Sequence, residues 1–167
     1  MNTSCEGNPE AHETPEAYAA RLFAEGHYCA EAVLMAGAKH LGIQSEMMPA
    51  IATGFCSGLA RTSGLCGALS GGVMVLGLAY GRERAGESVE QNYAATRALL
   101  EAFRAEFGAT GCSELLGCDL GTPEGQQAFR EQRLGGRCLR YTAAAARLAA
   151  ELADDPKRLQ PAPERKG

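Results

Sequence analysis

The sequence contains no tryptophan, and its five tyrosines, five phenylalanines and three histidines leave few large aromatic rings to build a core. It has no excess of basic charge: sixteen Lys and Arg against twenty Asp and Glu give a net charge of -4. A chain so balanced offers no electrostatic footprint for nucleic acid or for an anionic membrane surface. The polar, acidic stretch from Met1 to Thr14 has no apolar segment of the secretory kind, so the expected address is the cytoplasm. No alternating β-branched pattern of useful length argues for strands, and no repeat of fixed period is present. Phosphate-binding GxxxxGK[ST] and dinucleotide-binding GxGxxG motifs are missing. No carboxylate pair is suited to acid–base work, and Asp154 and Asp155 read as tail residues.

Small residues take the place of the missing aromatics, with 21 glycines and long alanine-rich runs in 167 residues. That length suits one core. Small side chains let helices approach closely, so the expected fold is all-α, a compact bundle of about five main helices with short helical pieces. The single ordered domain is expected over 14–154, between a flexible arm (1–13) and a proline-rich, charged, disordered tail (155–167).

Thr14-Pro15-Glu16 reads as a helix start, a cap residue followed by proline at the first helical position, and Gly26 as its stop. A second helix is expected from Tyr28-Cys29 to Leu41-Gly42, and a third, short one from Ser45-Glu46 to Gly54. Glycine-rich, irregular chain follows from Phe55 to Gly64. The stretch Gly64–Gly81 is nearly free of charge but broken by glycines and flanked by no other apolar segment, which favours a buried helix (Leu65–Tyr80) over a membrane span. Gly67 and Gly71 form a GxxxG pair within it, a spacing used for tight helix crossings. A fifth helix should place Val89, Tyr93, Thr96, Leu100, Phe103 and Phe107 on one face and end at Gly108. Short pieces are expected at 113–116 and 122–132, and a last helix at 137–153.

Seven cysteines in such a chain point to metal binding or catalysis rather than a disulfide scaffold. Their positions are informative. Cys29, Cys66, Cys112 and Cys138 each fall at an expected helix start just after a glycine. Unpaired amides and partial positive charge at helix N-termini favour thiolate, so lowered thiol pKa values are expected there. If the four starts converge, they make a pocket suited to a tetrathiolate metal site. Taken singly, each cysteine would read as a small buried hydrophobe. Cys56 and Cys118 read as a fifth ligand, a resolving thiol or filler, and Cys5, in the arm, as the least involved. There is no CxxC, which removes zinc knuckles, thioredoxin-type sites and CxxCH haem attachment. His12, His27 and His40 are scattered; His27, near Cys29, reads as a solvated turn residue or as a ligand or proton donor.

With these residues placed, the chain resembles the C_GCAxxG_C_C family of redox-active proteins. The matching segments are Tyr28-Cys29-Ala30-Glu31, Gly64-Leu65-Cys66-Gly67-Ala68-Leu69-Ser70-Gly71 running on through Val73-Met74-Val75-Leu76-Gly77-Leu78, Cys112-Ser113-Glu114-Leu115-Leu116-Gly117, and Cys138 before the last helix. The resemblance covers roughly Pro15 to Ala150. It implies a helical domain with a metal-containing cysteine redox site, similar to the cysteine domain that accompanies haem in split-Soret cytochromes, where an iron–sulfur cluster has been proposed. No haem motif is present here, and Cys56 and Cys118 lie outside the four-cysteine pattern.

Three functions are therefore in view. In the first, Cys29, Cys66, Cys112 and Cys138 hold an iron–sulfur cluster that exchanges electrons with a redox partner protein. In the second, the protein is a metal-free thiol–disulfide oxidoreductase with Cys66 as nucleophile and Cys56 or Cys112 as resolver. The third is a structural zinc site in an interaction module, for which close cysteine pairs are lacking. The glycine-rich apolar helix is compatible with a homodimer.

Overall fold

The computed structural model describes residues 13–155. The expected arm, with Cys5 and His12, and the tail from Pro156 onward lie outside the described residues. Within them the protein is all-α. Helices α1 (Pro15–Ala24), α2 (Cys29–His40), α4 (Gly67–Tyr80), α5 (Glu90–Phe107) and α8 (Gly135–Asp154) form the bundle. The shorter α6 (Cys112–Leu116), α7 (Pro123–Glu131), a 3-10 helix η1 (Ala50–Phe55) and one irregular turn, α3 (Cys56–Arg61), gather at one end. No described helix is long and apolar enough to cross a membrane.

Local chemistry sets most boundaries. The Thr14 side chain accepts from the Ala17 N–H at 3.2 Å, capping α1 as expected. Glu31, at the third position of α2, accepts the Tyr28 N–H at 2.9 Å and the Thr53 hydroxyl at 2.7 Å. One buried carboxylate thus caps α2 and ties η1 to it. Gly108 leaves α5 in the left-handed conformation (φ 84°) that a glycine adopts without a Cβ clash.

The expected GxxxG pair is where α4 crosses α2. A Cβ on Gly71 would lie 2.9 Å from the Val33 Cβ and 2.6 Å from the Ala30 carbonyl oxygen, and one on Gly37 would strike Val75. On the adjoining face of α4, Gly72 receives Leu99 of α5 and lies against α8. Small residues on both sides let α4 sit in the centre of the bundle, with Ala68, Leu69, Val75 and Leu76 fully buried.

Several expectations are corrected. The third helix over 45–54 is replaced by turns and then η1; Pro49 has no N–H to donate and its ring blocks a preceding helical turn. On α5 the buried face is Ala95, Leu99 and Phe103, while Tyr93 is exposed. The helix is rotated because Leu99 seats on Gly72 and the Asn92 amide donates to the Leu76 carbonyl at 3.0 Å. The last helix starts at Gly135, so Cys138 lies a turn inside it, and Cys66 caps α4 rather than lying within it. Glu13, placed in the expected arm, accepts from Arg21 at 2.9 Å. Asp154 is not a tail residue: it ends α8 and meets His40 Nε2 at 2.8 Å.

Candidate functional site: a cysteine-lined cavity

Two backbone bonds bring the central cysteines together. The Cys66 N–H donates to the Thr110 carbonyl at 2.8 Å, and the Cys112 N–H donates to the Gly64 carbonyl at 2.9 Å. This antiparallel clasp, an isolated bridge between Leu65 and Gly111, sets the starts of α4 and α6 side by side. Cys138 and Tyr141, three residues apart on one face of α8, close the other wall, and the Tyr141 hydroxyl donates to the Leu115 carbonyl at 3.1 Å. Cys29 enters at the first position of α2. Its sulfur rests on Gly67, where any Cβ would collide with it. The GxxxG pair therefore does two things: Gly71 lets α2 approach, and Gly67 makes room for the Cys29 sulfur.

Cys29, Cys66, Cys112 and Cys138 thereby line one cavity of about 370 Å³. No carboxylate lines it; its two charged residues are Arg61 and Arg130, and neither has an acidic partner among the described ion pairs. Apolar Phe23, Leu115, Leu120 and Phe129 complete much of the wall. Within the cavity, Cys138 lies in the electrostatic field of Cys66, Cys112 and Cys118. Cys29 packs both against the main core that holds Cys66 and Cys112 and against the small apolar cluster of Ala30, Leu34, Ala52 and Cys56. Cys56 is buried behind Gly67 and donates to the Ala52 carbonyl at 3.6 Å. Cys118 follows α6 outside the cavity lining, and His27 turns to Glu31 at 3.9 Å rather than to the sulfurs. None of the described cysteines is in a disulfide.

The expected lowering of the thiol pKa values is overturned at Cys66, Cys112 and Cys138. Burial pushes Cys66 and Cys112 up to about 11 and Cys138 up to about 12. Hydrogen bonding with Cys29, and then burial, push Cys56 higher still. Amides of Ala68 and Leu69 do favour the Cys66 thiolate, as a helix start should, but loss of water outweighs them. Cys66, Cys112 and Cys138 are thus held as neutral thiols.

The turn α3 forms part of the wall and is unusual. Ser57, Gly58, Leu59, Ala60 and Arg61 all have positive φ, between 52° and 68°. The Thr62 hydroxyl donates to the carbonyls of Gly58 and Leu59 (3.2 and 2.8 Å), and the Gly64 N–H returns to Gly58 at 3.0 Å. Gly58 presses on Cys112, where a Cβ would lie 2.5 Å from the cysteine's own. Sequence reasoning read this stretch only as irregular, and it missed Arg61, Arg130 and Tyr141, which carry no motif.

No three His, Cys, Asp or Glu side chains among the described residues are disposed to hold a single metal ion. The lining suits an anionic thiolate assembly: four cysteines from different helices border one space, and its charged residues are both cationic.

A helical bundle whose dispersed cysteines meet at one cavity is the architecture of a cysteine-based redox domain. Residues 27–152 match the family model described as "putative redox-active protein (C_GCAxxG_C_C)", and the chain belongs to that family. No curated protein and no solved structure matches the chain.

Proposed function

We propose that the protein is an electron-transfer metalloprotein in which Cys29, Cys66, Cys112 and Cys138 hold an iron–sulfur cluster. The observation that carries this reading is the convergence of these four thiols on one largely apolar cavity without an acidic side chain. A cluster bound there would supply one-electron chemistry. The chain's own part is to present the sulfurs, exclude water with Phe23, Leu115 and Phe129, and offset negative charge with Arg61 and Arg130. Cys66, Cys112 and Cys138, whose protons burial makes hard to remove, need a strongly positive centre to become thiolates, and polynuclear iron meets that need. A redox partner protein would exchange electrons with it, in the cytoplasm, where free thiols persist. A single zinc ion is disfavoured because no three ligands are disposed around one point.

The test is anaerobic purification followed by iron and acid-labile sulfide analysis. Brown protein with both, and Cys66→Ser and Cys112→Ser variants reduced to near-background iron at unchanged helix content, is the expected result. Iron-free wild-type protein, or cysteine variants that keep their iron, would overturn the reading.

A further inference from the structure

One cysteine next to the cavity is left without a role by the four-thiol site. Cys56 ends η1 and is buried among Ala30, Leu34 and Ala52, and Cys29 packs against this same cluster. Both cysteines meet at Gly67: a Cβ built there would touch the Cys29 sulfur and lie 3.0 Å from the Cys56 Cα. The nearness of Cys29, together with burial, holds a proton on Cys56. They come from segments 27 residues apart and are brought together by the missing side chain of Gly67. Cys29 lines the cavity whereas Cys56 does not, so one thiol of the pair is reachable and the other sheltered. That asymmetry is the one needed by an attacking thiol and its resolver.

We propose that Cys29 and Cys56 form a reversible dithiol–disulfide pair, distinct from Cys66, Cys112 and Cys138, that reduces disulfide substrates entering the cavity. Cys29, as thiolate, attacks one sulfur of a substrate RSSR, forming a mixed disulfide and expelling RS⁻. The sulfur of Cys56, giving up its proton to that leaving group, then attacks the Cys29 sulfur and releases the second RS⁻, which takes the proton Cys29 gave up. Two thiols are oxidised to one protein disulfide, and one RSSR is reduced to two RSH. The pair needs no metal. In protein that holds a cluster through Cys29, the same disulfide forms when that ligand is released.

The probe is glutathione disulfide, applied to the full chain both as purified without oxygen and after iron chelation, with disulfides mapped by mass spectrometry. In the chelated wild-type protein the expected product is a peptide linking Cys29 to Cys56. In Cys56→Ser the reaction should stop with glutathione attached to Cys29. Cys138→Ser should still form the Cys29–Cys56 link. Linkage of Cys66 to Cys112 or Cys138 instead, or no linkage in the chelated wild-type chain, would overturn the proposal. Iron and sulfide measured in the unchelated sample report on the cluster reading separately, so either idea can fail alone.

Discussion

At the scale of the residue, Gly67 has the most to do. It is the position where the close approach of α2, the seat of the Cys29 sulfur and the neighbourhood of Cys56 coincide. A Gly67→Ala variant places a methyl group against that sulfur. It should destabilise the fold by about 1–3 kcal/mol, as overpacking does, and lower the iron content of anaerobically purified protein. Thermal unfolding and metal analysis check the two effects. The GxxxG spacing was legible in the sequence, but its partner was not: a pair of glycines announces a close approach without saying what approaches.

At the scale of the element, the turn α3 stands out. Left-handed backbone costs a residue bearing a Cβ about 1–2 kcal/mol, and Ser57, Leu59, Ala60 and Arg61 all adopt it. The surrounding structure holds them through the Thr62 hydroxyl and the Gly64 N–H. Ala60 is exposed and has φ 52°, so Ala60→Gly should relieve strain without removing a packed side chain. The expected gain, after the entropy cost of glycine, is up to about 1 kcal/mol, read as a higher denaturation midpoint in urea. A lower midpoint would show that the turn is not strained at that position. The starts of α1, α2, α6 and α7 were legible because Thr14-Pro15 and Thr122-Pro123 are short-range capping signals and Gly26 and Gly111 mark the breaks ahead of α2 and α6. The turn was not, since among its left-handed residues only Gly58, which lacks a Cβ, is of a type that announces positive φ.

At the scale of the whole molecule, burying several thiols in one cavity makes stability depend on pH. In metal-free, reduced protein, Cys66 and Cys112 titrate near 11 and Cys138 near 12 against an ordinary value of 9.0. Below pH 9 the thiols are protonated in folded and unfolded chain alike, and their stabilisation is fully present. Between pH 9 and about 11 to 12 the unfolded chain gives up protons that the folded chain retains, so stability falls. For Cys66 alone the two-unit difference corresponds to about 3 kcal/mol. Half-buried Tyr80 and buried Tyr141, also raised by loss of water, act with the same sign. Urea unfolding followed by far-UV circular dichroism should show a midpoint that is flat up to pH 9 and then drops. Metal-loaded protein, whose ligand thiols are already deprotonated, should lack the thiol part of that drop.

The sequence by itself determined the class of fold, most helix starts and the four cysteines that line the cavity. These follow from composition, periodicity and capping, which act over a few residues, and from a family resemblance that holds over residues 27–152. Only the tertiary structure decided that the four cysteines line one cavity, that burial outweighs the helix-start amides at Cys66 and keeps Cys66, Cys112 and Cys138 protonated, and that Cys56 lies beside Cys29. Desolvation and through-space adjacency depend on which distant segments exclude water together, and no local pattern of residues encodes that.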